Sequence, residues 1–390
     1  MKVIVAGGGI GGLAAALSLA QRGAAVTVLE RAPQLGEAGA GLQLSPNATR
    51  LLFRWGLEDE LRRVGFAPLS ADIRDRGGAV LLSTPLGAAA EQRWGAPYLQ
   101  AHRADLHAIL LASAGAAGVR MQVDCPVETF EDDGGGVRLR TRGETLDADV
   151  LIGADGIHSQ VRAALAGPRP PRFTGQIAWR GLVETQRLPA GLIAPAATVW
   201  TAAGAHFVHY HVRGGELVNF VGFTSGARSA PESWTEPARP GEVAGAFDGW
   251  APAVQALIAA QRGGCGWRSA VHDRAPSRRW TRGRSALLGD AAHPMPPYLA
   301  QGAGMAIEDA EAISRHLAGP LPPQEALRGY AAERFGRTRR VQAWAQRNGA
   351  IFHLPGPLRQ AAFAVARSGG GGAARLDWLY GYVPPSELCP

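Results

Sequence analysis

Lys2-Val3-Ile4-Val5-Ala6 runs into Gly7-Gly8-Gly9-Ile10-Gly11-Gly12, then into an Ala/Leu-rich segment from Leu13 to Arg22, then into Ala25-Val26-Thr27-Val28-Leu29-Glu30. The β-branched runs favour strands and the Ala/Leu run a helix, so the stretch reads as strand, glycine turn, helix and strand. The spacing Gly7-x-Gly9-x-x-Gly12 lets the turn approach a pyrophosphate, whose charge is met by free N–H groups at the helix start. Glu30, at the end of the second strand, is placed to accept hydrogen bonds from a ribose diol. That geometry favours an adenosine cofactor with an unphosphorylated ribose.

Two later strands carry the same idea further along the chain. Asp149 to Gly153 leads into Ala154-Asp155-Gly156, and Ser285 to Leu288 leads into Gly289-Asp290-Ala291. Asp155-Gly156 alone could be an Asp-Gly turn, and Asp290 alone could be a helix cap. Between them, residues 173–266 read as an inserted antiparallel sheet, with strands at Thr198 to Trp200, Ala205 to Val212 and Leu217 to Phe223. After Gln301 the pattern turns helical, through Ile307 to His316 and Glu325 to Arg347. Gly369 to Gly372 is expected to form a flexible connection before Trp378-Leu379-Tyr380-Gly381-Tyr382.

Composition narrows the class. With 390 residues, 46% hydrophobic and 19% charged, the chain can bury a large core and is neither disordered nor fibrous. The net charge of +7 and pI of about 9.9 come from arginines scattered among acids, without a basic block, so nucleic acid is not an expected partner. Arg334, Arg337, Arg339 and Arg340 are expected to form a solvated helix face. Cys125, Cys265 and Cys389 lie far apart, which argues against disulfides or zinc and for a reducing cytoplasm. No secretory leader or membrane span is expected.

Taken together, the three fingerprints resemble class A FAD-dependent aromatic monooxygenases of the para-hydroxybenzoate hydroxylase fold. The salicylate and 3-hydroxybenzoate hydroxylase branch is suggested by Leu44-Ser45-Pro46-Asn47-Ala48, His102-Arg103-Ala104-Asp105-Leu106, Ala178-Trp179-Arg180-Gly181-Leu182 and Tyr298-Leu299-Ala300-Gln301-Gly302-Ala303. The aromatic tail 378–382 belongs to the same set. The resemblance implies an α/β fold: a Rossmann-like FAD-binding domain in two parts (1–172, with a sheet excursion near 70–98, and 267–316), a substrate domain at 173–266 and a helical region at 317–390. It further implies non-covalent FAD, NADH or NADPH as electron donor, and hydroxylation of a small aromatic acid with O2 through a flavin C4a-hydroperoxide. Glu30 would bind the adenosine ribose, Arg103 the pyrophosphate or ribityl region, and Asp290 the ribityl chain. Asp155 with Gly156 would lie near the pyrophosphate and the NAD(P)H path. A monomer or homodimer is expected, and no second nicotinamide domain, since Gly-x-Gly-x-x-Gly does not recur.

The catalytic expectation centres on two segments. A helix starting at Gln301 to Gly304 would direct the N–H groups of Gly302 and Ala303 at the flavin ring, with Tyr298 and Gln301 bordering the substrate. On a strand from Ala205 to Val212, His209 and His211 share a face with Phe207. By the resemblance His209 is the base that deprotonates a substrate phenol, while His211 stands where relatives commonly have proline. A metal held by the two histidines is not expected, because no Cys or carboxylate accompanies them. Two other readings stay open: a monooxygenase of a larger ring such as a quinolone or polyketide, and a flavin-binding protein without hydroxylase activity.

Overall fold

The computed structural model describes residues 1–36, 40–226, 236–261, 266–368 and 371–385. Its first layer is a six-stranded sheet in the order Thr281–Arg282, Ser285–Leu287, Val150–Gly153, Lys2–Ala6, Ala25–Leu29 and Arg120–Gln122. All neighbours are parallel except the edge pair Thr281–Arg282 with Ser285–Leu287. Parallel strands buried on both faces need apolar residues at every position, and Val150, Leu151 and Ile152 are fully buried. The helix Ile10–Ala20 crosses between the first two strands, as the glycine turn demands. Sequence-distant pieces thus meet at one sheet edge, where the strands Val150–Gly153 and Ser285–Leu287 lie side by side.

The second layer is an eight-stranded sheet in the order Glu236–Pro237, Trp267–Asp273, Arg172–Glu184, Leu217–Ser225, Ala205–Val212, Ala196–Ala202, Ser70–Asp75 and Val80–Pro85. The excursion near 70–98 therefore adds the strands Ser70–Asp75 and Val80–Pro85 to this sheet, through parallel pairing with Ala196–Ala202. Residues 173–266 are not strands alone. Helices Glu242–Ala246 and Pro252–Ala259 follow the sheet, the second opened by Pro252 at its first turn. Val243, Phe247, Val254 and Leu257 are buried in one cluster with Trp179, Phe207 and Phe220, so these helices cap one face of the sheet.

Helices Gly302–Ala318 and Pro323–Phe352 complete the fold and pack on each other. The expected solvated arginine face is corrected at Arg334, which is fully buried between the carboxylates of Glu308 and Asp309, and at Arg337, whose guanidinium also reaches Glu308. Helical spacing places four arginines on adjoining positions but does not say what they face. Only Arg339 and Arg340 of the four are exposed. Residues 369 and 370 of the expected flexible connection lie outside the described residues, and Gly371–Ala374 is a short helix. Among the described residues no helix is long and apolar enough to cross a membrane.

Candidate active site

The glycine turn is built for close approach. Gly7 adopts φ +111°, and a Cβ at Gly12 would strike the Gly7 carbonyl oxygen, so neither position tolerates a side chain. Glu30 accepts hydrogen bonds from Gly8 N–H at 2.7 Å and Ala32 N–H at 2.8 Å, which fixes its carboxylate beside the turn. Gly9 caps the helix without a side chain, leaving the first-turn N–H groups open. His107 bonds the Gly8 carbonyl at 2.7 Å, tying the helix Arg103–Ala116 to the same turn.

Asp155 follows the strand Val150–Gly153, and its Cα lies 3.0 Å from where a Cβ on Gly7 would sit. One of its carboxylate oxygens accepts from the N–H groups of Gln160 and Val161, so the residue closes a local turn beside Gly7. Burial raises its pKa against these hydrogen bonds. Gly156 takes φ +78°, completing the Asp-Gly turn. Asp290 sits in a short 3-10 turn, Gly289–Ala291, without capping a helix. Its side chain is accessible to solvent. Desolvation there raises its pKa, opposed by His293 and Arg103. An accessible carboxylate, a nearby guanidinium and a side-chain-free turn suit the hydroxyls and pyrophosphate of FAD.

The helix Gly302–Ala318 begins where the glycines suggested, and a Cβ on Gly302 would meet open space. Gln301 precedes it as the N-cap residue and is 2% exposed. Its Nε2 donates to Ser45 Oγ at 2.8 Å and its Oε1 accepts from Asn47 at 3.2 Å, in a buried network that continues from Asn47 to Glu308. Gln301 therefore positions the helix start, and Ala300, at φ +51°, is held in a backbone conformation that L-residues rarely adopt. Ser45 and Asn47, which the sequence offered as part of the segment Leu44 to Ala48, meet Gln301 and Glu308 in this network, a contact between positions 254 to 261 residues apart that no spacing in the chain announces.

The histidine strand divides its side chains between two settings. Phe207, His209 and His211 do share a face, but Phe207 on that face packs on Phe220 and Phe247 under the helical cap. His209 Nδ1 accepts from the Trp200 indole at 3.0 Å, and burial, with His211 and Arg74 nearby, lowers its pKa to about 3. His211 lies against Phe66 at the strand end. The opposite face points toward the nucleotide half: Tyr210 packs beside Gly41, whose N–H bonds the neighbouring Asn219. His206 lies on that face, stacked on Phe223 at 4.4 Å and edge-on to Tyr298 at 5.0 Å. Tyr298 and His206 thus come together, whereas Tyr298 and His209 do not. The Tyr298 hydroxyl is buried with no hydrogen-bond partner among the described residues, and burial, with Asp273 nearby, raises its pKa.

Arg180 and Arg213, whose guanidinium groups could each pair with a carboxylate, also lie in different settings. Arg213 forms a bidentate pair with Asp105 at 3.0 and 2.9 Å on the surface. Arg180 lies on the His206 side of the sheet, since it pairs with Val221 as Ala178 pairs with Phe223. Burial lowers its pKa to about 10, against a favourable effect of Tyr210, and it remains a cation at neutral pH.

The FAD binding domain family model matches residues 1–345. A 3-amino-4-hydroxybenzoate 2-monooxygenase of Streptomyces platensis is 42% identical over 98% of this chain and 96% of its own. A 3-hydroxybenzoate 6-hydroxylase of Aquipseudomonas alcaligenes is 36% identical over 99% of this chain and 95% of its own. Among solved structures, Klebsiella pneumoniae HpxO complexed with FAD and uric acid aligns with a TM-score of 0.85 at 30% identity, covering 97% of this chain and 96% of that one. The chain accordingly belongs to the FAD binding domain family and, within it, to the FAD-dependent aromatic-ring monooxygenases.

Proposed function

We propose that this enzyme hydroxylates a small aromatic acid of the hydroxybenzoate or aminohydroxybenzoate type, using NAD(P)H and O2, in the cytoplasm. The observation that carries the reading is one sheet face that presents Arg180, Ala178, Phe223 and His206, with Tyr298 packed against Phe223 and His206 and with Arg180 donating to Ser269. A cation suits the carboxylate, an apolar floor suits the ring, and an imidazole suits the phenol. FAD, held without a covalent tether, supplies the activated oxygen. The Gly7, Gly9 and Gly12 turn would hold its pyrophosphate, Glu30 its adenosine ribose, Arg103 and Asp290 its central chain, and the N–H groups of Gly302 and Ala303 its ring, with Asp155 and Gly156 beside the pyrophosphate. His206, in place of His209, would take the phenol proton, because a phenolate ring is the better nucleophile. Tyr298 would wall the substrate and keep water from it.

The test is NADH and NADPH oxidation with product mass, over salicylate, 3-hydroxybenzoate, 3-amino-4-hydroxybenzoate, a quinolone and aliphatic acids. Stimulation by the benzoates with hydroxylated product is expected; stimulation by the quinolone alone refutes the small-acid reading. Arg180→Met should raise KM for the active benzoate on the order of tenfold to a hundredfold, the loss of one charge-assisted bond, with a smaller change in kcat. An unchanged KM removes Arg180 from the carboxylate role. Asp290→Ala should weaken FAD by about 1.5 to 3 kcal/mol, read as a shifted titration of apoprotein with FAD. Undiminished affinity in a folded variant removes the ribityl assignment.

A further inference from the structure

His206 does not stand alone on its face. Its Nδ1 lies 2.7 Å from Nε2 of His353, and Nδ1 of His353 lies 3.1 Å from Ser225 Oγ and 3.5 Å from Gln176 Nε2. His206 is 1% exposed, His353 is half-buried, and Ser225 is at the surface. The three side chains come from three elements: the strand Ala205–Val212, the C-terminal end of the helix Pro323–Phe352, and the strand Leu217–Ser225. His353 is also fixed through its backbone, where its carbonyl accepts from Gly204 N–H at 3.2 Å.

We propose that His353 is a proton-relay residue, which carries the proton taken by His206 out to solvent at Ser225. The inference rests on His206 being the base of the proposed reaction. With Nδ1 of His206 occupied by His353, the nitrogen left for the substrate is Nε2. A neutral imidazole pair joined Nδ1 to Nε2 shares one N–H, and each ring has one donor and one acceptor nitrogen. As the phenol O–H breaks, His206 Nε2–H forms; His206 Nδ1–H breaks as His353 Nε2–H forms; His353 Nδ1–H breaks and its proton passes by Ser225 Oγ to water. The products are a phenolate and one proton in solvent, and both rings remain neutral with their tautomers exchanged. Gln176 Nε2 is a donor to the lone pair then exposed on His353 Nδ1.

The surroundings suit passage rather than storage. Phe223 and Phe352 flank His206. The titratable group on the other side is Tyr298, with Asp273 behind it held by Arg172 at 2.8 and 2.7 Å. Burial lowers both histidine pKa values, His206 with a further contribution from His353, and His353 to about 4. A resting imidazolium, which would block the relay, is thereby disfavoured.

The test compares FAD-loaded wild type, His353→Gln and His353→Ala. With 3-amino-4-hydroxybenzoate or 3-hydroxybenzoate, whichever the wild type hydroxylates, both variants should form product about tenfold more slowly at pH 7, with KM little changed. The gap should close above the phenol pKa, where substrate arrives ionised, and added imidazole should restore His353→Ala. A wild-type rate and pH profile in both variants overturns the relay, as does a loss that neither pH nor imidazole relieves. Nitrogen-15 NMR of the histidines, without substrate, should show an N–H···N hydrogen bond between two neutral rings that His353→Gln removes. If that signal is absent, the relay fails irrespective of the substrate. If it is present and no benzoate is turned over, the substrate reading fails instead.

Discussion

His206→Ala is expected to bind FAD normally and to oxidise NAD(P)H in the presence of a benzoate, yet to hydroxylate it on the order of a hundredfold or more slowly, releasing peroxide instead. Removing a general base costs about that much. Raising the pH should recover part of the product, because solvent then ionises the phenol. His209→Ala serves as the contrast. Its imidazole accepts the Trp200 indole under the helical cap, so its loss should cost about 1 to 3 kcal/mol of stability through the orphaned donor while leaving product per NAD(P)H unchanged. Rapid-quench product formation and a denaturation midpoint separate the two. Uncoupling in His209→Ala with normal coupling in His206→Ala would return the base to His209.

Arg334→Met is expected to give the largest loss of stability, about 3 to 5 kcal/mol, seen as a lowered urea midpoint. The guanidinium is fully buried, with Nε 2.8 Å from Asp309 and Nη1 2.7 Å from Glu308; its removal takes the shared cation from two buried carboxylates, leaving His293 to Asp309 and Arg337 to Glu308. The pH dependence follows from the same charges. Burial pushes the Asp309 carboxyl up, but His293 and Arg334 outweigh it and bring the group down to about 2. Glu308 is lowered in the same way, with Arg337 and Arg334 prevailing over burial. A carboxyl with a depressed folded pKa stabilises fully above its unfolded value of about 4 and loses that contribution as pH falls toward the folded value. The difference between wild type and Arg334→Met should therefore be greatest at pH 7 and narrow as pH drops below about 5. A midpoint unchanged at pH 7 would show that the cluster contributes nothing net. Loss of this cluster should also loosen FAD, since Glu308 bonds Asn47, which bonds Gln301 at the start of the helix Gly302–Ala318.

The strand, glycine turn, helix and strand at the start of the chain were legible because their geometry is local. A strand, a glycine turn and a helix follow one another in the chain, and Gly7, Gly12 and Glu30 meet within thirty residues through backbone geometry alone. The strands Val150–Gly153 and Ser285–Leu287 could be read as apolar runs into Asp turns and as pieces of one domain, while their side-by-side pairing appears only in the structure. The strands Ala196–Ala202, Ala205–Val212 and Leu217–Ser225 were also visible from their alternation, including the face shared by Phe207, His209 and His211.

What that alternation could not say is which face meets the flavin half and which meets the helices Glu242–Ala246 and Pro252–Ala259. Period-two patterning sorts side chains into two sets, but both faces of this sheet are buried, so hydrophobicity does not tell them apart. The answer depends on contacts between residues far apart in the chain: Tyr298 against His206, Phe247 against Phe207, and Gly41 against Tyr210. The same holds for Arg334, whose helical spacing was plain and whose burial between Glu308 and Asp309 arose only when two helices packed. Sequence by itself determined the glycine turn with its flanking strands and helix and the residues that share the face of the strand Ala205–Val212. Tertiary packing decided which histidine stands beside Tyr298, because the partner of a buried side chain is chosen by the surface that covers it.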